Sequence, residues 1–217
     1  PDQIICTGPE ARKLFLKLGN HNSENVKAGC ALRGQDIFSL PLRDRPPKKI
    51  TKVIVIMEGL SSMVKLLEFI DQAAHIYPNV DFDLREHPAL PIRTLFKEAG
   101  MQINNRSNLN LSRSGVLEEV LKDYNIAIYQ GTTAAMSAVA MGLPVIKLNL
   151  EESVNDDPLI NCKSLKRIVK KPEELGSAFS YFEKMSYDVF GLEAKDARNY
   201  VENYMTPPSH NTLEPFV

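Results

Sequence analysis

The sequence has few cysteines and no excess of charge of either sign. Its three cysteines, Cys6, Cys30 and Cys162, are odd in number and far apart. This pattern argues against a disulfide framework and against a zinc site, because zinc ligands come in close pairs. The 26 lysines and arginines nearly balance the 27 aspartates and glutamates, so no net field gathers nucleic acid or an anionic membrane. We therefore expect a reducing, cytoplasmic setting and no nucleic-acid partner.

Long apolar runs and several common enzyme motifs are also missing. The longest apolar runs, such as Val53–Met57, fall far short of the roughly 20 residues that span a bilayer, and no charged-then-apolar leader opens the chain. No G-x-G-x-x-G follows any predicted strand, and neither a Walker P-loop nor a G-x-S-x-G elbow is present. These absences argue against a transmembrane or secreted chain, a dehydrogenase, a P-loop enzyme and an ester hydrolase.

The 217 residues, of which 43% are hydrophobic, are enough to bury a core and divide into two predicted parts. The first part starts with a buried strand, "QIICTG", and a helix, "PEARKLFLKLG", with Leu14, Phe15 and Leu18 on one face. The segment "PLRDRPPKK" is typical of an interdomain linker or an exposed loop. We therefore assign residues 1–46 to the end of an N-terminal domain plus its linker, and 47–217 to a second domain with a C-terminal tail. We also expect the chain to begin inside a longer protein.

From residue 50 onward, apolar strands such as "TKVIVIM" alternate with amphipathic helices such as "SSMVKLLEFIDQAAHIY". This alternation indicates a parallel sheet covered on both faces, so the predicted class is α/β, with a doubly wound, Rossmann-like sheet. Beyond residue 151 the sequence predicts one helix, from Pro172 to about Met185. The tail, "TPPSHNTLEPFV", is predicted to be extended.

Ligands of a doubly wound sheet bind at the carboxyl ends of its strands, and three of these junctions carry polar residues. In "YQGTTAA", Gly131 lets a ligand approach the backbone, and the first amides of the next helix lack intrahelical partners. The helix dipole adds about half a positive charge there. Thr132 and Thr133 can therefore donate to a phosphate oxygen. In the alternative interpretation, one threonine only caps the helix.

The second junction is "REHPAL". Pro88 keeps His87 out of helical geometry at the strand tip, where the imidazole can donate to a phosphate or act as an acid toward a leaving group. Arg85 faces the same way as His87, because side chains alternate along a strand. Alternatively, His87 is a half-buried residue that hydrogen-bonds to the backbone.

The third junction is "MEGLSS". Glu58, Gly59 and Ser61 can supply further phosphate donors or a carboxylate for a hydroxylated ligand. The same residues also fit a capping turn with no ligand.

Taken together, "IAIYQGTTAAMSAVAMGLPVIKL", the upstream "REHP" and the glycine-containing turn before it resemble the C-terminal, nucleotide-sugar-binding half of GT-B-type glycosyltransferases. The resemblance is best to bacterial enzymes that build capsule, lipopolysaccharide and related surface glycans. It spans about residues 1–150, since "PDQIICTGPEARKLFLKLG" is similar to the last strand and helix of the N-terminal domain of those enzymes.

By this resemblance, Thr132 and Thr133 match the hydroxyl pair that binds the donor phosphate. His87 and Pro88 match the HP motif of sialyl- and Kdo-transferase-like families, whose donors are CMP-linked. Glu58 and Gly59 are similar to an acidic-residue–glycine motif of the same families, which implies a catalytic role for Glu58 beside His87. Many relatives that use UDP-sugars carry a ribose-binding glutamate where this sequence has Ser137, so the ribose contact stays unassigned.

The resemblance implies metal-independent transfer of a sugar from a CMP- or UDP-linked donor to a cell-surface glycan acceptor, with no cofactor. It also implies that an N-terminal domain supplies most of the acceptor site, so that this chain binds a donor without turning it over. The expected location is cytoplasmic, either free or peripheral to the inner membrane. Two alternatives stay open: a sugar-nucleotide 2-epimerase, and a degenerate domain that binds a partner through its nucleotide cleft.

Overall fold

The computed structural model describes residues 2–60, 63–102, 106–150 and 157–216. The chain begins with a small unit in which two parallel strands, β1 (Ile4–Cys6) and β2 (Val26–Ala28), flank helix α1 (Pro9–Leu18). The Arg12 side chain fastens α1 to this unit by donating to the Val26 carbonyl over 2.7 Å. The strand and helix predicted for this region are therefore present.

The rest of the chain forms a six-stranded parallel sheet. Its strands are β3 (Lys52–Ile56), β4 (Asp81–Arg85), β5 (Leu109–Leu111), β6 (Ile126–Tyr129), β7 (Val145–Leu148) and β8 (Lys166–Val169). They lie in the order β5-β4-β3-β6-β7-β8, with every pair parallel. The predicted α/β class with a doubly wound sheet is confirmed.

Strands β3, β6 and β7 are buried on both faces, which explains why they are largely apolar without alternation. In β3, Val53 and Val55 face one core, and Ile54 and Ile56 face the other. The first core is covered by α2 (Met63–Ile76), α3 (Ile92–Glu98) and α6 (Leu175–Glu183). The second is covered by α4 (Leu117–Leu121), α5 (Ala134–Ala140) and α7 (Tyr187–Tyr204).

The linker segment is bound to the α/β core through Arg43. Its guanidinium donates to the carbonyls of Tyr124, over 2.7 Å, and Leu121, over 2.8 Å, at the end of α4. Burial of this side chain lowers the pKa of Arg43. Gly142 faces Arg43 with φ of 75°, and a Cβ at position 142 would lie 3.1 Å from Arg43 backbone atoms. Only glycine combines that backbone conformation with so close an approach.

The end of α7 meets the N-terminal unit. The Thr7 hydroxyl donates to the Tyr204 carbonyl over 2.7 Å. The Thr206 amide donates to the Thr7 carbonyl over 3.0 Å, and the Ala31 amide donates to the Thr206 carbonyl over 2.9 Å. The two ends of the described chain are thus hydrogen-bonded to each other.

The prediction for the last part of the chain was incomplete and partly wrong. The helix predicted from Pro172 exists as a 3₁₀ turn followed by α6, but β8 and the 18-residue α7 were not predicted. The tail forms a short helix, α8 (His210–Leu213), instead of an extended segment. The three-residue β5 was also missed. In the described part of the chain, no helix is both long and apolar enough to cross a bilayer.

Candidate functional site

Three turns meet at one edge of the sheet. Strands β4, β3 and β6 are neighbours and run in the same direction, so the turns that follow them lie side by side. These turns carry Glu58 and Gly59, His87, and Gly131 to Thr133. The prediction that His87, Thr132 and Thr133 share an edge is therefore confirmed.

A direct hydrogen bond joins the turn after β3 to the turn after β6. The Gly131 amide donates to Oε1 of Glu58 over 2.5 Å. Glu58 thus places a carboxylate at the start of α5, the end of a helix where an anion is favoured. Ser61, predicted at the same turn, lies outside the described residues.

The turn after β3 also touches the turn after β4. A Cβ on Gly59 would lie 2.7 Å from Nδ1 of His87, so only a glycine lets the half-buried imidazole lie so close. Nδ1 of His87 accepts the Ala89 amide over 3.1 Å. An accepting Nδ1 carries no proton, so the neutral ring carries its proton on Nε2. His87 therefore has one donor for a ligand.

The turn after β6 keeps most of its hydrogen-bond donors available. The Thr132 hydroxyl accepts the Ala134 amide over 3.3 Å, a long bond. Thr133 is the N-cap residue of α5, but its side chain makes no capping bond. Within the described residues, neither the Thr132 amide nor the Thr133 amide donates a hydrogen bond to the backbone.

Buried charges support this turn. Lys147, 8% exposed, donates its Nζ proton to the Gln130 carbonyl, immediately before Gly131. Asp157 accepts from the Tyr129 hydroxyl over 2.8 Å and from Nζ of Lys166 over 3.0 Å. Burial, together with Asp157, raises the pKa of Tyr129.

Arg85 contacts the loop after β5. Its guanidinium donates to the carbonyls of Arg113, over 2.8 Å, and Gly115, over 2.5 Å. Two of its donors are therefore used to hold this loop. A cavity of about 230 Å³ lies between this loop and the loop after β4. It is lined by Arg85, Glu86, Pro88 and Ser112. Glu86 accepts the Ile92 amide over 2.9 Å at the start of α3.

Ser137 has a carboxylate as its neighbour. Its hydroxyl donates to Oε1 of Glu118 over 2.9 Å, from the first turn of α4. Sequence reasoning missed Glu118, and nothing in the sequence pairs it with a serine 19 residues away. The position at which relatives carry a glutamate therefore lies beside an acidic group from another helix.

Asp81 and Asp83 are spaced as a D-x-D pair, but they lie within β4, away from the strand tip. Asp83 is buried and accepts the Tyr124 hydroxyl over 2.8 Å. Burial, followed by this contact with Asp83, raises the pKa of Tyr124. Over the described ranges, no group of three or more His, Cys, Asp or Glu side chains is placed to hold a metal ion.

The fold is similar to that of several solved structures at low sequence identity. The glycotransferase of kitacinnamycin is 13% identical, with a TM-score of 0.55 over 94% of this chain and 52% of that one. Trehalose-6-phosphate synthase OtsA is 11% identical, with a TM-score of 0.59 over 99% and 59%. UDP-GlcNAc 2-epimerase from Methanocaldococcus jannaschii is 12% identical, with a TM-score of 0.57 over 93% and 60%. No family model and no curated protein matches the sequence.

These similarities define the class of fold. The parallel sheet with helices on both faces matches the Rossmann-like domains of GT-B glycosyltransferases, and the neighbours include glycosyltransferases as well as a UDP-GlcNAc 2-epimerase. The chain spans 52–60% of the length of the three structures just described. The GT-B-like fold is therefore shown.

Proposed function

We propose that this chain is the donor-binding half of a metal-independent glycosyltransferase and binds a CMP- or UDP-linked sugar with its phosphate at Gly131–Thr133. The observation that carries this proposal is the turn itself. Within the described residues, the amides of Thr132 and Thr133 donate no backbone hydrogen bond and the Thr133 hydroxyl makes no capping bond, at the sheet edge where His87 also lies. Such donors favour the charge that develops on a leaving phosphate.

Each side chain of the site has a proposed role. The Thr132 and Thr133 hydroxyls donate to the phosphate, and Nε2 of His87 donates to it or acts as the acid toward the leaving group. Gly59 has no Cβ and therefore leaves room for the His87 ring. Because Glu58 takes the Gly131 amide, the phosphate is left with the next two amides.

The other residues predicted to bind the nucleotide act through the loops and helices beside the phosphate turn. Arg85 holds the loop after β5 through two carbonyls, and Pro88 lines the cavity beside it. We assign the ribose contact to Glu118, which already binds Ser137. The acceptor is a cell-surface glycan, bound largely by an N-terminal domain, and the location is cytoplasmic, free or peripheral to the inner membrane.

Calorimetric titration with CMP and with UDP tests this function. Binding of CMP in preference to UDP supports a CMP-linked donor, whereas the opposite preference supports a UDP-sugar transferase or a 2-epimerase. The epimerase neighbour gives that second candidate its structural basis. No binding of either nucleotide overturns the proposal in favour of a degenerate domain.

Gly59→Ala will reduce nucleotide affinity with little loss of stability. The new Cβ would lie 2.7 Å from Nδ1 of His87, so the ring must rotate away from the site. Loss of one hydrogen bond to a charged group corresponds to a decrease of about tenfold or more. Gly191→Ala is the matched control, because a Cβ there meets nothing within 4 Å. Unchanged CMP and UDP titrations for Gly59→Ala would remove His87 from the site.

Glu58→Gln will raise nucleotide affinity by a few-fold. Glutamine keeps an oxygen for the Gly131 amide, which Glu58 now accepts over 2.5 Å, but removes a negative charge next to the phosphate. Two unit charges about 4 Å apart repel each other by about 1 kcal/mol when water screens them fully, which corresponds to a few-fold in affinity. Weaker binding instead would mean that the carboxylate itself contacts the ligand, for example at a sugar hydroxyl.

A further inference from the structure

Gln130 carries a buried hydrogen-bonding group that the chain leaves without a partner. The residue lies between β6 and the phosphate turn, Gly131–Thr133, and is 4% exposed. Within the described residues, its side-chain oxygen Oε1 is buried and makes no hydrogen bond. Nearly all buried polar atoms in folded proteins are paired, because an unpaired acceptor has lost its water and gained nothing in return. An unpaired oxygen beside the phosphate turn therefore points to a donor that a ligand supplies.

The main chain at Gln130 is fixed on both sides. Nζ of Lys147 donates to the Gln130 carbonyl, and the Gly131 amide donates to Glu58 over 2.5 Å. The side-chain carboxamide is less constrained, because rotation about its last bond has only a broad preference. That rotation can turn Oε1 toward a ligand at the turn without moving the backbone. Gln130 thus combines a fixed backbone with a hydrogen-bonding group that adjusts to a ligand.

The two faces of the sheet place Gln130 and the proposed ribose contact on opposite sides of this turn. Ile128 packs in the first core and Tyr129 in the second. Because side chains alternate along a strand, Gln130 extends toward the first-core face. Glu118 lies on α4, which covers the second core. A donor with its ribose at Glu118 and its phosphate at the turn therefore directs its remaining part, the sugar, toward Gln130.

We propose that Gln130 recognises the sugar of the donor, with Oε1 accepting a proton from a hydroxyl or an amide of that sugar. This inference rests on the proposed function, which puts the donor phosphate at Gly131–Thr133. An ionised phosphate offers only acceptor oxygens, so it cannot satisfy Oε1, and the ribose lies on the other face. The sugar is bonded to the phosphate and carries the hydroxyls that an unpaired acceptor needs. Gln130 is thus a specificity-determining residue for the sugar and not for the nucleotide.

Calorimetric titration of the parent chain and of Gln130→Met tests this role. The ligands are UDP with UDP-glucose and UDP-GlcNAc, and CMP with CMP-sialic acid. Methionine keeps the length of the side chain but accepts only weakly. We expect the affinity for the nucleotide sugar that the parent chain binds best to fall about tenfold, the effect of one lost hydrogen bond. The affinity for UDP and CMP should not change, and the melting temperature should not fall, because the variant removes an unpaired buried oxygen.

Two further variants separate recognition of the sugar from other effects. Glu118→Ala should weaken the binding of a nucleotide and of its sugar derivative by the same factor, because it acts on the part that they share. Gln35→Met is the matched control. Gln35 also has a buried Oε1 without a partner among the described residues, but it lies before the linker and its Nε2 donates to the Ala31 carbonyl over 3.0 Å. This control should melt at a lower temperature and leave every titration unchanged.

Three results for Gln130→Met would overturn the inference. They are an equal loss for nucleotide and nucleotide sugar, no loss for either, as when a buried water pairs with Oε1, and a fall in melting temperature as large as that of Gln35→Met. A parent chain that binds CMP or UDP but none of the three nucleotide sugars would overturn it as well. Each of these results leaves the nucleotide site in place. A parent chain that binds no nucleotide refutes the proposed function and, with it, the role of Gln130.

Discussion

Replacing Thr132 and Thr133 together by alanine will lower nucleotide affinity by about one to three orders of magnitude. The double variant loses two hydroxyl donors to a charged phosphate, each worth roughly 1.5–3 kcal/mol at best, and keeps the two backbone amides. Stability will fall by less than about 1 kcal/mol. The Thr133 hydroxyl caps nothing, and the Thr132 hydroxyl accepts only a long bond of 3.3 Å.

Ser186→Ala is the matched control for that experiment. Ser186 is the N-cap of α7, and its side chain accepts the Val189 amide over 3.4 Å. Because this bond is about as long as that of Thr132, the variant should lose a similarly small amount of stability, and it should bind CMP and UDP as the parent chain does. If the threonine variant behaves as this control does, with unchanged titrations and a lower melting temperature, both hydroxyls are only a cap and the phosphate site loses its main support.

Asp157→Ala will cause the largest loss of stability. Asp157 and Lys166 are 6% and 8% exposed, and their side chains form an ion pair of 3.0 Å. Truncating the carboxylate leaves a buried ammonium uncompensated and takes a partner from the Tyr129 hydroxyl. Breaking a buried pair in this way costs about 3–5 kcal/mol, or about 6–20 °C in Tm for a chain of this size. Thermal and urea unfolding measure it.

Asp71→Ala provides the comparison. Asp71 pairs with Arg106 over 2.6 and 2.9 Å, but both side chains are partly exposed, at 20% and 28%. Its removal should cost about 1 kcal/mol, because water solvates the arginine left behind. Equal losses for the two variants would show that the Asp157–Lys166 pair does not stabilise the fold as a buried pair.

The sheet could be predicted from sequence because its central strands are apolar on both faces. Val53 to Ile56, like Ile126 to Tyr129, are buried without interruption, so their pattern indicates a parallel sheet directly. The turns after these strands followed from the same pattern. Once strand direction was known, the shared edge of His87 and Thr132 followed as well.

Two elements escaped prediction for identifiable physical reasons. Helix α7 buries Phe190, Ala194, Ala197 and Val201, a regular stripe in which two members are only alanine. That stripe is weak in hydrophobicity because α7 packs closely on the alanine-rich α5. Strand β8 departs from the usual pattern, in which the apolar side chains of a strand are buried and the charged ones are exposed.

In β8, Lys166 is buried and Ile168 is 57% exposed. The burial of Lys166 is possible because Asp157 neutralises the ammonium. A lysine facing inward and an isoleucine facing water carry no strand signal that a sequence pattern can detect.

The contacts within the site could not be predicted, because they join distant residues. The Glu58 carboxylate and the Gly131 amide are 73 residues apart, and Arg85 lies 30 residues from the Gly115 carbonyl it binds. Neither residue type at either position reveals its partner. The sequence therefore indicated which turns lie together. Which hydrogen-bond donors are already used within the protein, and which are left for a ligand, could be read only from the structure.

The hydrogen bonds between the chain ends set an order for folding during synthesis. Thr7 and Tyr204 are 197 residues apart, an interval that a ribosome takes about 10–40 s to translate at 5–20 residues per second. Throughout that interval, the unit formed by β1, α1 and β2 lacks its hydrogen-bond partners at Tyr204 and Thr206, which have not yet been made. The six-stranded sheet has by then received all its strands, so the N-terminal unit is made before the sheet but is among the last parts to be held in place.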